Sequence, residues 1–93
     1  MDIYQAYGEL KAQGLTRDQY DFSRKWLGRD RSYLSSLKAR KRPASPETMI
    51  HLATALTRAM VAALAERQMA QAEVLDRISG RVWAGIFMAG AGV

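Results

Sequence analysis

The side chains able to do chemistry crowd into one segment. Between Arg17 and Arg42 stand nine of the fourteen basic residues: Arg17, Arg24, Lys25, Arg29, Arg31, Lys38, Arg40, Lys41 and Arg42. Only three acids, Asp18, Asp21 and Asp30, share that window, so it carries +6 of a net +5 and leaves −1 for the rest. A localised basic block is the electrostatic footprint of a polyanion binder. Arg31, Ser32, Tyr33, Ser35 and Ser36 lie inside it. Arginine pairs bidentately with guanine in the major groove, and serine either donates or accepts. Arg17, Arg29, Lys38, Arg40, Lys41 and Arg42 flank them, placed to reach phosphates and to supply salt-sensitive affinity without reading sequence.

Other chemistry is not on offer. There is no cysteine, hence no disulfide, thiolate nucleophile or thiolate metal site. The single histidine, His51, has no serine or acid evidently paired with it, and the acids are scattered. No enzyme activity, metal or cofactor is expected. Trp26 and Tyr20 lie on an apolar face, so core packing is expected of them in preference to base stacking.

The elements that must position these residues read as helices. Asp2 caps a first helix from Ile3 to Gln13, with Ile3, Tyr7 and Leu10 as its stripe and Gly14 as its stop. Thr16, with Gln19 three residues on, opens a second helix that Gly28 ends. A third runs from Arg31 or Ser32 to about Ala39 and is held down by Leu34 and Leu37. Pro43 and Pro46 then force a turn, and Ser45 caps the next helix with Pro46 at its first position. From Glu47 to Ser79 there is neither glycine nor proline, so one helix to Gly80 is expected. At 1.5 Å per residue, residues 46–79 would extend roughly 50 Å.

Helix, glycine, helix from Thr16 to Ala39 is a helix-turn-helix pattern: the first helix braces the second, and the second enters the major groove. The residues Leu15-Thr16, Phe22-Ser23, Leu27-Gly28, Ser32-Tyr33-Leu34-Ser35, Leu37-Lys38, Pro43, Ser45-Pro46-Glu47-Thr48, Leu52-Ala53 and Ala55-Leu56 together resemble the Cro/C1-type domain of phage and plasmid repressors. The resemblance implies an all-α, repressor-like bundle of about five helices with Ser32 to Ser36 in the recognition helix. The chain is also similar to a group of short bacterial proteins that carry Trp26-Leu27-Gly28, Ser32-Tyr33 and Lys38-Ala39-Arg40. Two positions depart from the repressor pattern. The family often has glycine soon after the recognition helix, where this chain has Arg40. A small residue usually sits four before the turn glycine; here Arg24 holds that place and Ser23 lies five before, so a turn one residue longer is expected.

Ninety-three residues make one domain, with the helix-turn-helix core at 15–56. Residues 57–93 form a C-terminal helix and an uncharged apolar tail with Trp83, Ile86 and Phe87. A projecting rod and an apolar tail would both need cover, so a homodimer through this part is expected, its paired recognition helices matching a palindrome. The acid near the N-terminus and the absence of an 18-residue apolar run predict a cytoplasmic protein with no membrane partner. Double-stranded DNA is the expected partner. The alternative is a helix-turn-helix fold turned into a protein-binding antagonist, its basic block against an acidic protein surface.

Overall fold

A computed structural model describes residues 1–91, with side chains described as far as Met88. It is all-α, with five helices and no strand among the described residues. Helix α1 spans Ile3–Ala12. Asp2 accepts from the Gln5 N–H at 2.8 Å while Gln5 Oε1 accepts from the Asp2 N–H at 3.0 Å, a reciprocal cap. Ile3, Ala6 and Leu10 bury its inner face. Helix α2 begins as Gln19–Asp21 and continues as a π-helical turn, Phe22–Trp26. Its cap is Asp18, which accepts from the Asp21 N–H at 2.8 Å. Thr16, expected to cap, is instead buried and donates to Asp21 Oδ2 at 2.8 Å. Helix α3 is Tyr33–Ala39, α4 is Pro46–Ala65 with Ser45 accepting from the Thr48 N–H, and α5 is Met69–Ala91.

Four helix ends close in the same way. Gly14, Gly28, Lys41 and Arg67 follow α1, α2, α3 and α4 with φ of 73°, 63°, 53° and 60°. The left-handed residue turns the next N–H groups back onto the last carbonyls. After α4, Arg67 N–H reaches Leu64 O at 3.1 Å and Gln68 N–H reaches Ala63 O at 2.8 Å. The single rod expected over 46–79 is therefore broken at Arg67, and Gly80 sits exposed within α5 instead of ending a helix. α5 runs back against α4, and the longest dimension of the molecule is 40 Å, shorter than the rod would have been.

This hairpin removes the geometric premise of the expected dimer. Ala72, Leu75, Ile78 and Val82 are buried within the chain, in one core with Leu10, Trp26, Leu52 and Leu56. Leu64, near the end of α4, stays open at 46% exposure. α4 is long and apolar enough, by length and composition only, to cross a bilayer; here Leu52, Ala53, Leu56 and Ala63 are its buried stripe. Glu9 pairs with Arg77 at 3.8 Å and Arg81 at 3.3 Å, tying α1 to α5. Such exposed pairs contribute little.

Between α4 and α5 lies one polar node. Thr57 Oγ1 donates to Ala53 O at 2.9 Å. That proton is then spent, so the Ser79 hydroxyl must donate to Thr57 at 2.9 Å, as does the Trp83 indole N–H at 3.2 Å. Thr57→Val keeps the shape and strands both donors. Leaving such groups unpaired costs about 1–3 kcal/mol each, discounted for the half-exposed Trp83. Urea denaturation of the variant is expected to show a loss of about 2 kcal/mol.

Candidate nucleic-acid interface

The helix pair α2–α3 is held in place by a hydroxyl. Ser23 is fully buried, and its Oγ accepts from the Leu34 N–H at 3.1 Å. Ser32 precedes α3 without a side-chain cap, so Ser23 satisfies an N-terminal donor of α3 from across the turn. A π-turn encloses Ser23. Leu27 N–H bonds to Phe22 O, five residues back, at 3.2 Å, and Arg29 N–H bonds to Ser23 O at 2.9 Å. One extra residue is stored inside the helix. The longer turn expected from the Ser23 to Gly28 spacing is thus corrected: the added residue lies in α2. Gly28 is required twice over, by its φ of 63° and because a Cβ there would stand 2.6 Å from His51 Nε2.

A second node fixes the outer side of α3. Thr48, buried at the start of α4, accepts from Arg29 Nη2 at 3.1 Å and from the Tyr33 hydroxyl at 3.3 Å. Both lone pairs are then used, so Thr48 donates to Ser45 Oγ at 2.9 Å. The Arg29 guanidinium also lies 5.4 Å from the Tyr33 ring centre. Arg29 and Tyr33, expected among the DNA contacts, are engaged within the chain as struts between the turn, α3 and α4.

The remaining cations fall into two groups. Arg17, Arg24, Lys25 and Arg31 line a groove of about 530 Å³ together with Tyr20, Asp18 and Asp21. Tyr20, expected on an apolar face, is 56% exposed; Trp26 is buried and donates to Leu15 O at 3.3 Å. Neither acid in the groove neutralises a guanidinium. Asp18 is the cap of α2, and Asp21 accepts from Thr16 and from the Arg17 N–H at 3.1 Å. The Thr16 hydroxyl and the Arg17 N–H hold the Asp21 carboxyl below the usual range. The second group, Lys38, Arg40, Lys41 and Arg42, follows the end of α3. All eight cations are exposed. Among the described residues none forms an ion pair; the two pairs present are those of Glu9.

The serines of α3 differ. The Ser32 hydroxyl donates to Asp30 Oδ2 at 2.5 Å and, with the Ser32 N–H, holds the Asp30 carboxyl below its ordinary range. Ser35 donates to Ser32 O at 3.1 Å. Ser36 is exposed, and no side-chain hydrogen bond engages it among the described residues. Arg24 and Lys25 were not expected as contacts, although they belong to the basic block. The signal for them was the exposed side of a helix whose buried residues are Phe22, Ser23 and Trp26.

A family match covers residues 3–87, nearly the whole of the described bundle. The chain belongs to DUF6626, a family of unknown function. No curated protein and no solved structure matches it. In this DUF6626 chain one residue of the basic block sits where its backbone resists it. Lys41 is in the left-handed region at the position after α3 that favours glycine, with its N–H on Lys38 O at 3.1 Å and Arg42 N–H on Leu37 O at 3.2 Å. A side chain there costs about 1–2 kcal/mol, partly offset because glycine gains freedom when unfolded. Lys41→Gly is expected to raise stability by about 1 kcal/mol, or about 5 °C in Tm, while weakening polyanion binding. Paired thermal melts and DNA titrations check both signs.

Proposed function

We propose that this protein is a cytoplasmic, sequence-specific double-stranded DNA-binding regulator, a repressor that uses α2 and α3 as a helix-turn-helix. The observation that carries the reading is the set of eight exposed cations that form no ion pair among the described residues, grouped before and after the exposed side of α3. A folded protein that leaves so many like charges together gains from a polyanion that releases its counterions on binding. The resemblance of residues 15–56 to Cro/C1-type domains supports the same assignment. Within it, Ser36 and Arg31 read bases, Arg17, Arg24, Lys25, Lys38, Arg40, Lys41 and Arg42 hold phosphates, and Arg29, Tyr33, Ser23 and Thr48 set the angle of α3.

The test is titration of random-sequence duplex across salt, followed by selection of preferred sequences. A slope of log affinity against log salt of about −5 or steeper, with a selected site on which Ser36→Ala relaxes discrimination, supports the proposal. No binding to duplex at low salt overturns it and leaves the acidic protein surface as the partner. A homodimer remains part of the proposal on a narrower surface, Phe87 and Met88 near the end of α5, 67% and 74% exposed. Sedimentation equilibrium of the wild type and of Phe87→Ser with Met88→Ser tests it: a wild-type mass of 10.4 kDa at micromolar concentration excludes the dimer.

A further inference from the structure

On the α1 side of α3 lies a second concavity of about 530 Å³, distinct in chemistry from the groove beside α2. Its apolar lining comes from Tyr4 and Tyr7 of α1, Leu34 of α3 and Pro43. Gln19 of α2, Lys38, Lys41 and Arg42 complete it, and no acid lines it. The groove beside α2 holds two acids; this cleft holds three cations and none to balance them.

Two features show that the cleft is held in shape. The Tyr4 hydroxyl donates to Arg42 O at 3.1 Å, fastening α1 to the segment that carries two of the cations. Tyr7 packs on Phe22 with ring centres 5.3 Å apart, so its ring is backed by the core. The left-handed backbone of Lys41 adds an independent observation. At a position that suits glycine the chain carries an ammonium, and that ammonium lines the cleft.

We infer that this cleft binds a small organic anion of mononucleotide size, an aromatic ring bearing a phosphate. The volume falls within the usual range for small-ligand sites. The Tyr4 ring and Pro43 accept the ring by stacking and apolar contact, while Leu34 and Tyr7, which is packed on Phe22 and covered by the Lys11 ammonium, form the floor behind them. The three cations take the phosphate by charge-assisted hydrogen bonds. Neither part of such a ligand alone uses the whole lining. Because Lys38, Lys41 and Arg42 are also assigned to DNA phosphates, the ligand competes with DNA; that regulatory consequence rests on the DNA-binding reading, whereas the site does not.

The experiment uses the full chain without DNA. AMP, adenosine and inorganic phosphate are titrated separately by calorimetry at low salt. AMP is expected to bind about tenfold or more tightly than either fragment. Lys41→Gly, which relieves backbone strain and therefore folds, is expected to weaken AMP about five- to tenfold, and Lys38→Ala similarly. Arg17→Ala with Arg24→Ala removes two cations from the other groove and is expected to leave AMP affinity unchanged. AMP no tighter than inorganic phosphate overturns the inference. So does AMP affinity that ignores Lys41→Gly, or that falls as far with the Arg17 and Arg24 pair, since general attraction to a basic surface then accounts for it. A chain that binds AMP but no duplex keeps the cleft and refutes the DNA reading.

Discussion

Replacing Lys38, Lys41 and Arg42 together by alanine is expected to lower the slope of log affinity for duplex DNA against log salt by about 2.7 units. Each phosphate contact releases condensed counterions worth about 0.9 of a unit, and three contacts are removed. Over a fourfold rise in salt the wild type should then lose about 40-fold more affinity than the variant. All three residues are exposed and unpaired among the described residues, so removing them leaves no buried charge stranded. The triple Arg17, Arg24 and Lys25 to alanine should behave alike, and the two sets should add because they lie in different grooves. Arg29→Ala is the contrasting control. Its guanidinium sits on Thr48, so it should lower stability and leave the slope within about one unit. A triple variant with the wild-type slope would remove the cations after α3 from the interface.

Substitution of Ser23 is expected to have the largest effect on stability. Ser23→Ala deletes the acceptor of the Leu34 N–H and leaves that donor buried, at about 1–3 kcal/mol. Ser23→Leu adds overpacking between α2 and α3, about 1–3 kcal/mol more, for a total of about 2–6 kcal/mol. A domain of this size has only about 5–14 kcal/mol in all. DNA binding should fall in Ser23→Ala even where the protein is fully folded, because the hydroxyl that sets the angle of α3 is gone. Equilibrium denaturation in urea and duplex titration below the transition measure the two effects separately. A Ser23→Ala variant within about 0.5 kcal/mol of wild type would show that the Leu34 N–H finds another partner.

The comparison of the four helix ends shows where a sequence can be read and where it cannot. Asp2, Ser45 with Pro46, Gly14 and Gly28 are residues whose own chemistry dictates a cap or a stop, and each stands at the boundary expected of it. Lys41 and Arg67 perform the same left-handed turn with side chains that carry no such preference. Arg67 turns because α5 can then bury Leu75, Ile78 and Val82 against α4, a gain spread over many residues far along the chain. Local spacing holds no trace of that, and the expected rod and its dimer argument followed from the omission. The basic block was legible because composition alone reveals it. The roles of Arg29 and Tyr33 were not, since the acceptor that claims them, Thr48, lies 19 and 15 residues away.

The π-turn in α2 has a consequence for how the chain tolerates change in length. An i to i+5 turn is one residue longer than an α-turn spanning the same flanks. Deleting Lys25 should let the Leu27 N–H reach Phe22 O as an ordinary four-residue bond, with Ser23 still under Leu34 and Gly28 still under His51. The deletion is expected to fold, with a melting temperature within a few degrees of wild type, and to surrender only the DNA affinity of one ammonium. The count of residues between the small buried residue and the turn glycine is therefore elastic, while the contacts at its two ends are not. Loss of one residue between Ser23 and Trp26 is expected to leave the pose of α3 intact, which a thermal melt and a duplex titration of the deletion variant check.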